Sequence, residues 1–211
     1  MLMNGITTAP ATAQPMNTVA TEAARRFSGT SRATALAACG ESGSPRQDVL
    51  AAKPHFASQV VFGDSLADVG SYAVGPIAMA GGGKFTVNGS VTGKPDLDGR
   101  IWSEVVASYL GLPKPCAAQT GLNGKGPYAV PVVNYPTCFS YAMGGSRVTN
   151  PVGPRNKQTG SPLGQLTVPV VTQIANHLAV SGGRFKSDEV VFILAGGNDA
   201  IILLDQLAAG A

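Results

Sequence analysis

Ser65 stands within Val60-Val-Phe-Gly-Asp-Ser-Leu-Ala-Asp-Val-Gly-Ser-Tyr72, where a β-branched run breaks at a glycine and presents a hydroxyl between two carboxylates, Asp64 and Asp68. A strand that ends in a tight glycine turn lifts such a hydroxyl clear of a sheet, as a nucleophile requires. Two other stretches offer the groups that would stabilise the charge made by its attack. Ser140-Tyr-Ala-Met-Gly-Gly-Ser146 runs into a glycine pair with exposed backbone amides, and Val190-Val-Phe-Ile-Leu-Ala-Gly-Gly-Asn-Asp199 runs into an asparagine side chain. A hydroxyl, a glycine N–H and an amide side chain are the parts of an acyl-transfer site.

Those parts meet only if the strands that carry them are parallel neighbours, since open α/β folds build their sites where strand C-termini share one edge. The spacing predicts strands over 59–62, 138–143 and 187–194, the last opening with Asp188 and Glu189. Between them the chain predicts a partly helical return over 66–80, interrupted at Gly75-Pro76, and a helix over 98–110 capped by Asp98 with Ile101, Val105, Val106 and Tyr109 on its apolar face. A Gly- and Pro-rich loop follows over 150–167, then helices over 168–180 and 200–209. β-α-β-α-β order with right-handed crossovers implies α/β architecture, a flavodoxin-like three-layer α/β/α sandwich around a parallel sheet. Asp64 and Asp68 are expected to accept backbone N–H bonds in their turn, and Asp199 to orient the loop of Asn198.

Phe62-Gly-Asp-Ser-Leu66, Tyr141-Ala-Met-Gly-Gly145 and Gly196-Gly-Asn-Asp199, in this order, resemble the first three blocks of the GDSL esterases and lipases, the SGNH hydrolases. Gly99-Arg-Ile-Trp-Ser-Glu-Val-Val-Ala-Ser-Tyr-Leu-Gly-Leu112 is similar to the helix that lies between the family's first two blocks. The resemblance spans 59–207 and implies a serine ester hydrolase. It makes Ser65 the nucleophile, and Gly145 (with Gly144 the alternative) and Asn198 the oxyanion donors. It implies no metal and no cofactor, and a small-molecule or lipid ester as substrate. Ser140 stands where the family often has asparagine.

The family's last block, Asp-x-x-His, supplies the general base, and neither histidine fits it, since Ala52 lies three before His55 and Ile174 three before His177. A serine hydroxyl without a base retains only the residual rate that oxyanion donors provide. His177 is expected on the surface or flank of its helix, and His55 at the strand end opposite Ser65. With three strands where such hydrolases have about five, the chain reads as a hydrolase domain whose C-terminal part is missing, with an unpaired edge beside the third strand. The competing expectation is an inactive remnant, or a lipid- or carbohydrate-binding module that keeps the cleft without the base.

Composition bounds the rest. The 211 residues are 44% hydrophobic and 13% charged with a net charge of +3, enough for one core and too weakly basic for a nucleic-acid track. Lys84 follows three glycines, but Ala78 and Phe85 break the phosphate-loop spacing. The first 57 residues, rich in Ala, Thr, Ser and Pro, are expected as a leader separate from the domain at 58–211. Within them Leu36-Ala-Ala-Cys39 resembles a bacterial lipoprotein box, with Arg25 and Arg26 ahead of it and Met16 as a second possible start. Export and membrane anchoring through Cys39 stand against a disordered leader with an incidental cysteine. Cys116 and Cys138 are expected to pair across a loop with little core of its own, which requires an oxidising compartment. Asn88-Gly-Ser90 matches a glycosylation sequon but is read as turn chemistry.

Overall fold

A computed structural model describes residues 55–87, 89, 93 and 95–210. The lipoprotein-like segment around Cys39, the leader as far as residue 54, and Asn88 and Ser90 of the sequon lie outside the described residues. The first strand, β1 (Ser58–Gly63), contains the β-branched run and is buried along nearly its whole length. After the Ser65 turn comes a short helix, α1 (Gly75–Met79), with Pro76 in its first turn. Pro76 therefore starts this helix where a break was expected, because proline at that position forfeits an N–H that no helix could use.

The next helix, α2 (Trp102–Tyr109), begins four residues later than expected and is not capped by Asp98; the Glu104 carboxylate reaches back and accepts the N–H of Ile101 at 2.9 Å. Its buried face is Ser103, Glu104 and Ala107, whereas Tyr109, expected on the apolar face, is 63% exposed. Glu104 can be buried because Lys84 Nζ donates to both its oxygens at 2.8 and 2.7 Å, with Lys114 Nζ at 3.4 Å. Burial alone would raise its pKa. The Lys84 hydrogen bond, the Ile101 N–H and the charges of Lys84 and Lys114 outweigh burial and hold the carboxyl below its ordinary value. A folded pKa below the unfolded one adds stability that is present above the unfolded value and is lost as pH falls through the folded one. Lys84→Met should therefore cost roughly 3 kcal/mol at pH 7, the low end for a broken buried pair because Lys114 remains. Urea unfolding at pH 7 and again near pH 3 checks this: the gap between variant and native chain should shrink in acid, and an equal gap at both would refute the assignment.

Residues 117–136, expected to contribute little core, form a hairpin of β2 (Gln119–Asn123) and β3 (Ala129–Asn134), antiparallel and bulged between Thr120 and Leu122. Leu122 is buried against Tyr72 and Met143. Gly121 and Pro131 disguise the strands in the sequence, yet the bulge has room for the first and the exposed β3 tolerates the second. The Cys116–Cys138 disulfide closes the segment, with 22 residues of separation. Such a loop gains about 3 kcal/mol in the chain-entropy estimate.

Two elements complete the parallel layer. The long helix α3 (Val170–Val180) precedes β4 (Glu189–Leu194), which pairs in parallel with β1 from Ser58↔Glu189 to Gly63↔Leu194. On the other side of β1 runs the Phe139–Met143 segment, also parallel. Val61 N donates to Phe139 O, Tyr141 N to Val61 O and Met143 N to Gly63 O, at 3.0, 2.7 and 3.1 Å. β1 is thus central, with alternate side chains on opposite faces. Val60 and Phe62 pack with Val170 and Ile174 of α3, and Val61 packs with Ala142 and Trp102 of α2. The chain is a mixed α/β protein with a small parallel sheet. The last helix, α4 (Gly197–Ala208), buries none of its residues, and Ile193, Ile201, Leu204 and Leu207 are each more than half exposed.

His177, expected at a helix surface, is fully buried. It falls on the inner stripe of α3 with Val170 and Gln173, stacks on Phe185 at 5.3 Å and meets the edges of Phe62, Phe139 and Tyr141. Its Nε2 lies 3.4 Å from the buried Glu189 carboxylate, which supplies the polar partner a buried imidazole needs.

Candidate active site

β1, the Phe139–Met143 segment and β4 all end at the same edge of the sheet, and the three turns that follow them are tied to one another pairwise. The first turn joins the second through two amides: Met143 N donates to Gly63 O at 3.1 Å and Gly144 N to the Asp68 carboxylate at 2.8 Å. It joins the third through Asp64, whose N–H reaches Leu194 O at 3.2 Å and whose carboxylate meets the backbone of Gly197. The second and third are joined by Asn198 Nδ2, which donates to Ser146 O at 2.9 Å, and by Asp199, which accepts Arg147 Nε and Val148 N, both at 2.9 Å. Ser65, Gly145 and Asn198 each sit in one of these turns.

Both aspartates of the first turn are structural. Asp64 accepts the N–H of Leu66 at 3.0 Å, and burial pushes its carboxyl above the ordinary value against the pull of the Leu66 and Gly197 N–H groups. Asp68 is fully buried and accepts from Gly70 N, Ser71 N, the Ser71 hydroxyl and Gly144 N. Burial raises its pKa too, opposed by those same donors. Asp199, expected to orient the loop of Asn198, bonds Arg147 and Val148 of the second turn.

These contacts separate the two glycines. Gly144 is spoken for on both sides, its N–H by Asp68 and its carbonyl by the Tyr72 hydroxyl at 2.9 Å. Burial raises the Tyr72 pKa, so this phenol remains a donor at any physiological pH. The N–H of Gly145 has no partner among the described residues, and neither has that of Ser65. Gly145 holds φ 79°, and a Cβ there would fall 2.9 Å from both Pro154 O and Thr167 Cγ2, so no other residue fits. Asn198 spends one amide hydrogen on Ser146 and keeps the second. The N–H groups of Ser65 and Gly145 and the second amide hydrogen of Asn198 are thus left without a partner among the described residues.

Neither histidine belongs to this edge. Glu189, which holds His177, opens β4, and six residues of strand put roughly 16 Å between its two ends. His55 precedes β1 and is exposed, at the same far end.

Sequence reasoning overlooked Gln173 and Trp102. Gln173, 1% exposed, hydrogen-bonds both sides of Gly63 from α3; a polar residue on the inner stripe of an amphipathic helix was the available signal. The Trp102 indole donates to Leu66 O at 2.8 Å, one residue beyond Ser65. Beside that carbonyl an apolar groove of about 470 Å³ is lined by Thr86, Val87, Ile101, Trp102, Val105 and Val106. No group of His, Cys, Asp and Glu able to hold a metal occurs among the described residues, and no helix there is long and apolar enough to cross a membrane. Comparison with protein families, with curated proteins and with solved structures gives no match for this chain.

Proposed function

We propose that the chain carries the acyl-transfer site of a serine ester hydrolase of the GDSL type, built on a flavodoxin-like three-layer sandwich. The observation that supports it most is the pairwise bonding of the three turns, which leaves the N–H groups of Ser65, Gly145 and Asn198 open at one edge. In this reading Ser65 Oγ attacks the ester carbonyl and passes its proton to solvent water, since the described residues place no histidine at this edge, and solvent returns a proton to the departing alcohol. The carbonyl oxygen takes the negative charge under the three N–H donors, and the C–O bond to the alcohol breaks to leave an acyl-serine that water then hydrolyses. The groove beside Leu66 suits an aliphatic acyl or alkyl group. The Cys116–Cys138 disulfide favours an oxidising compartment and hence export.

A second reading, a cleft that holds an ester or its carboxylate without turning it over, is favoured by the position of both histidines away from Ser65. Incubation with an alkyl fluorophosphonate, followed by peptide mass spectrometry, separates the two. The hydrolase reading expects one adduct per chain, on Ser65. A folded chain with no adduct there, in which butyrate still shifts the Gly145 amide resonance, establishes the second reading.

A further inference from the structure

Gln173, which belongs to none of the three turns, bonds two of them at once from α3. Its Oε1 accepts Gly63 N at 2.9 Å while its Nε2 donates to Gly63 O at 2.9 Å, so the amide pairs with this peptide as a neighbouring strand would. The same Nε2 reaches Ser146 Oγ at 3.2 Å and Val168 O at 2.9 Å. Gly63 is two residues before Ser65, and a Cβ on it would lie 2.2 Å from Leu194 O, so its backbone is wedged between β4 and this amide. Ser146 is the residue after Gly145, and its carbonyl is the one that holds Asn198. One buried side chain therefore touches the nucleophile turn directly, and reaches both oxyanion donors through Ser146.

We propose that Gln173 is a positioning residue, which sets the separation between Ser65 and the donors of Gly145 and Asn198. The inference rests on the hydrolase reading for its kinetic consequence only. Two turns fixed by one rigid amide cannot drift apart independently, and a displacement of about 1 Å at a reacting centre costs on the order of 100-fold in rate. Gln173→Met keeps the volume and removes every polar contact, while Gln173→Glu keeps an acceptor for Gly63 N and serves if the first variant fails to fold. Ile174→Ala, on the same helix, is the control for stability lost without loss of these bonds.

Nuclear magnetic resonance of the Gly145 amide and the Asn198 side-chain amide is the first measurement, with p-nitrophenyl butyrate kinetics the second. Both amides should move in the Gln173 variants and stay in place in Ile174→Ala, and kcat should fall about 10- to 100-fold with KM within twofold. Amides that do not move in a folded Gln173 variant overturn the proposal whatever the kinetics, and so does an unchanged kcat. If the native chain shows no turnover dependent on Ser65, the hydrolase reading fails while the resonances still decide the role of Gln173.

Discussion

Asp68→Ala is expected to cost about 4 kcal/mol or more of stability, a large share of the ~5–15 kcal/mol that holds a typical domain together. Asp68 is fully buried and satisfies three backbone N–H groups and one hydroxyl. Each donor left dry costs roughly 1–3 kcal/mol. Water entering the vacated space would recover part of this, which sets the expected loss near the lower end. Asp68→Asn should fall between, because its oxygen can serve two of the donors while its NH₂ confronts another. The loss also has a local reading: without Asp68 the Gly144 N–H is released, so Gly145 would lose its fixed direction along with the fold. Urea unfolding monitored by circular dichroism measures the effect. A midpoint within about 0.5 kcal/mol of the native chain, the usual range for an indifferent surface change, would show that this carboxylate does not tie the turns.

Ser65→Ala is expected to bring hydrolysis of p-nitrophenyl butyrate down to the rate of buffer, with no change in the unfolding midpoint. The hydroxyl is half-buried and takes part in no hydrogen bond among the described residues, so its removal leaves no buried partner stranded. Asn198→Ala differs: it removes one oxyanion donor, for which about 10²- to 10³-fold in kcat is expected, and also the bond to Ser146 O. Steady-state kinetics on both variants checks the pair. Turnover that survives Ser65→Ala would place any esterase activity elsewhere on the chain.

The strands β1 and β4 were legible because each is local, an apolar run of strand length followed by glycine, whereas 138–143, expected as a full strand, meets β1 as an isolated parallel bridge at Ser140. The elements between them were less legible, because tertiary partners decide them. The burial of Glu104 on the inner face of α2 is not announced by its neighbours in sequence, because its partner Lys84 lies twenty positions earlier. His177 looked like a surface residue because the aromatic cage of Phe62, Phe139, Tyr141 and Phe185 assembles from three separate segments. Gln173 was invisible for the same reason, its partners Gly63 and Ser146 lying 110 and 27 positions away. The hairpin of β2 and β3 was hidden by a glycine and a proline that the bulge and the exposed strand accommodate.

The register of the central strand sets a timetable for synthesis. Ser58 finds its partner Glu189 only after about 130 further residues have been made, which takes roughly 7 to 26 s at ~5–20 residues per second. Throughout that interval Val60, Val61 and Phe62, wholly enclosed in the finished protein, leave the ribosome with one flank unclaimed. In a nascent chain of this design the apolar flank of β1 that faces β4 stays uncovered until residues 189–194 have emerged.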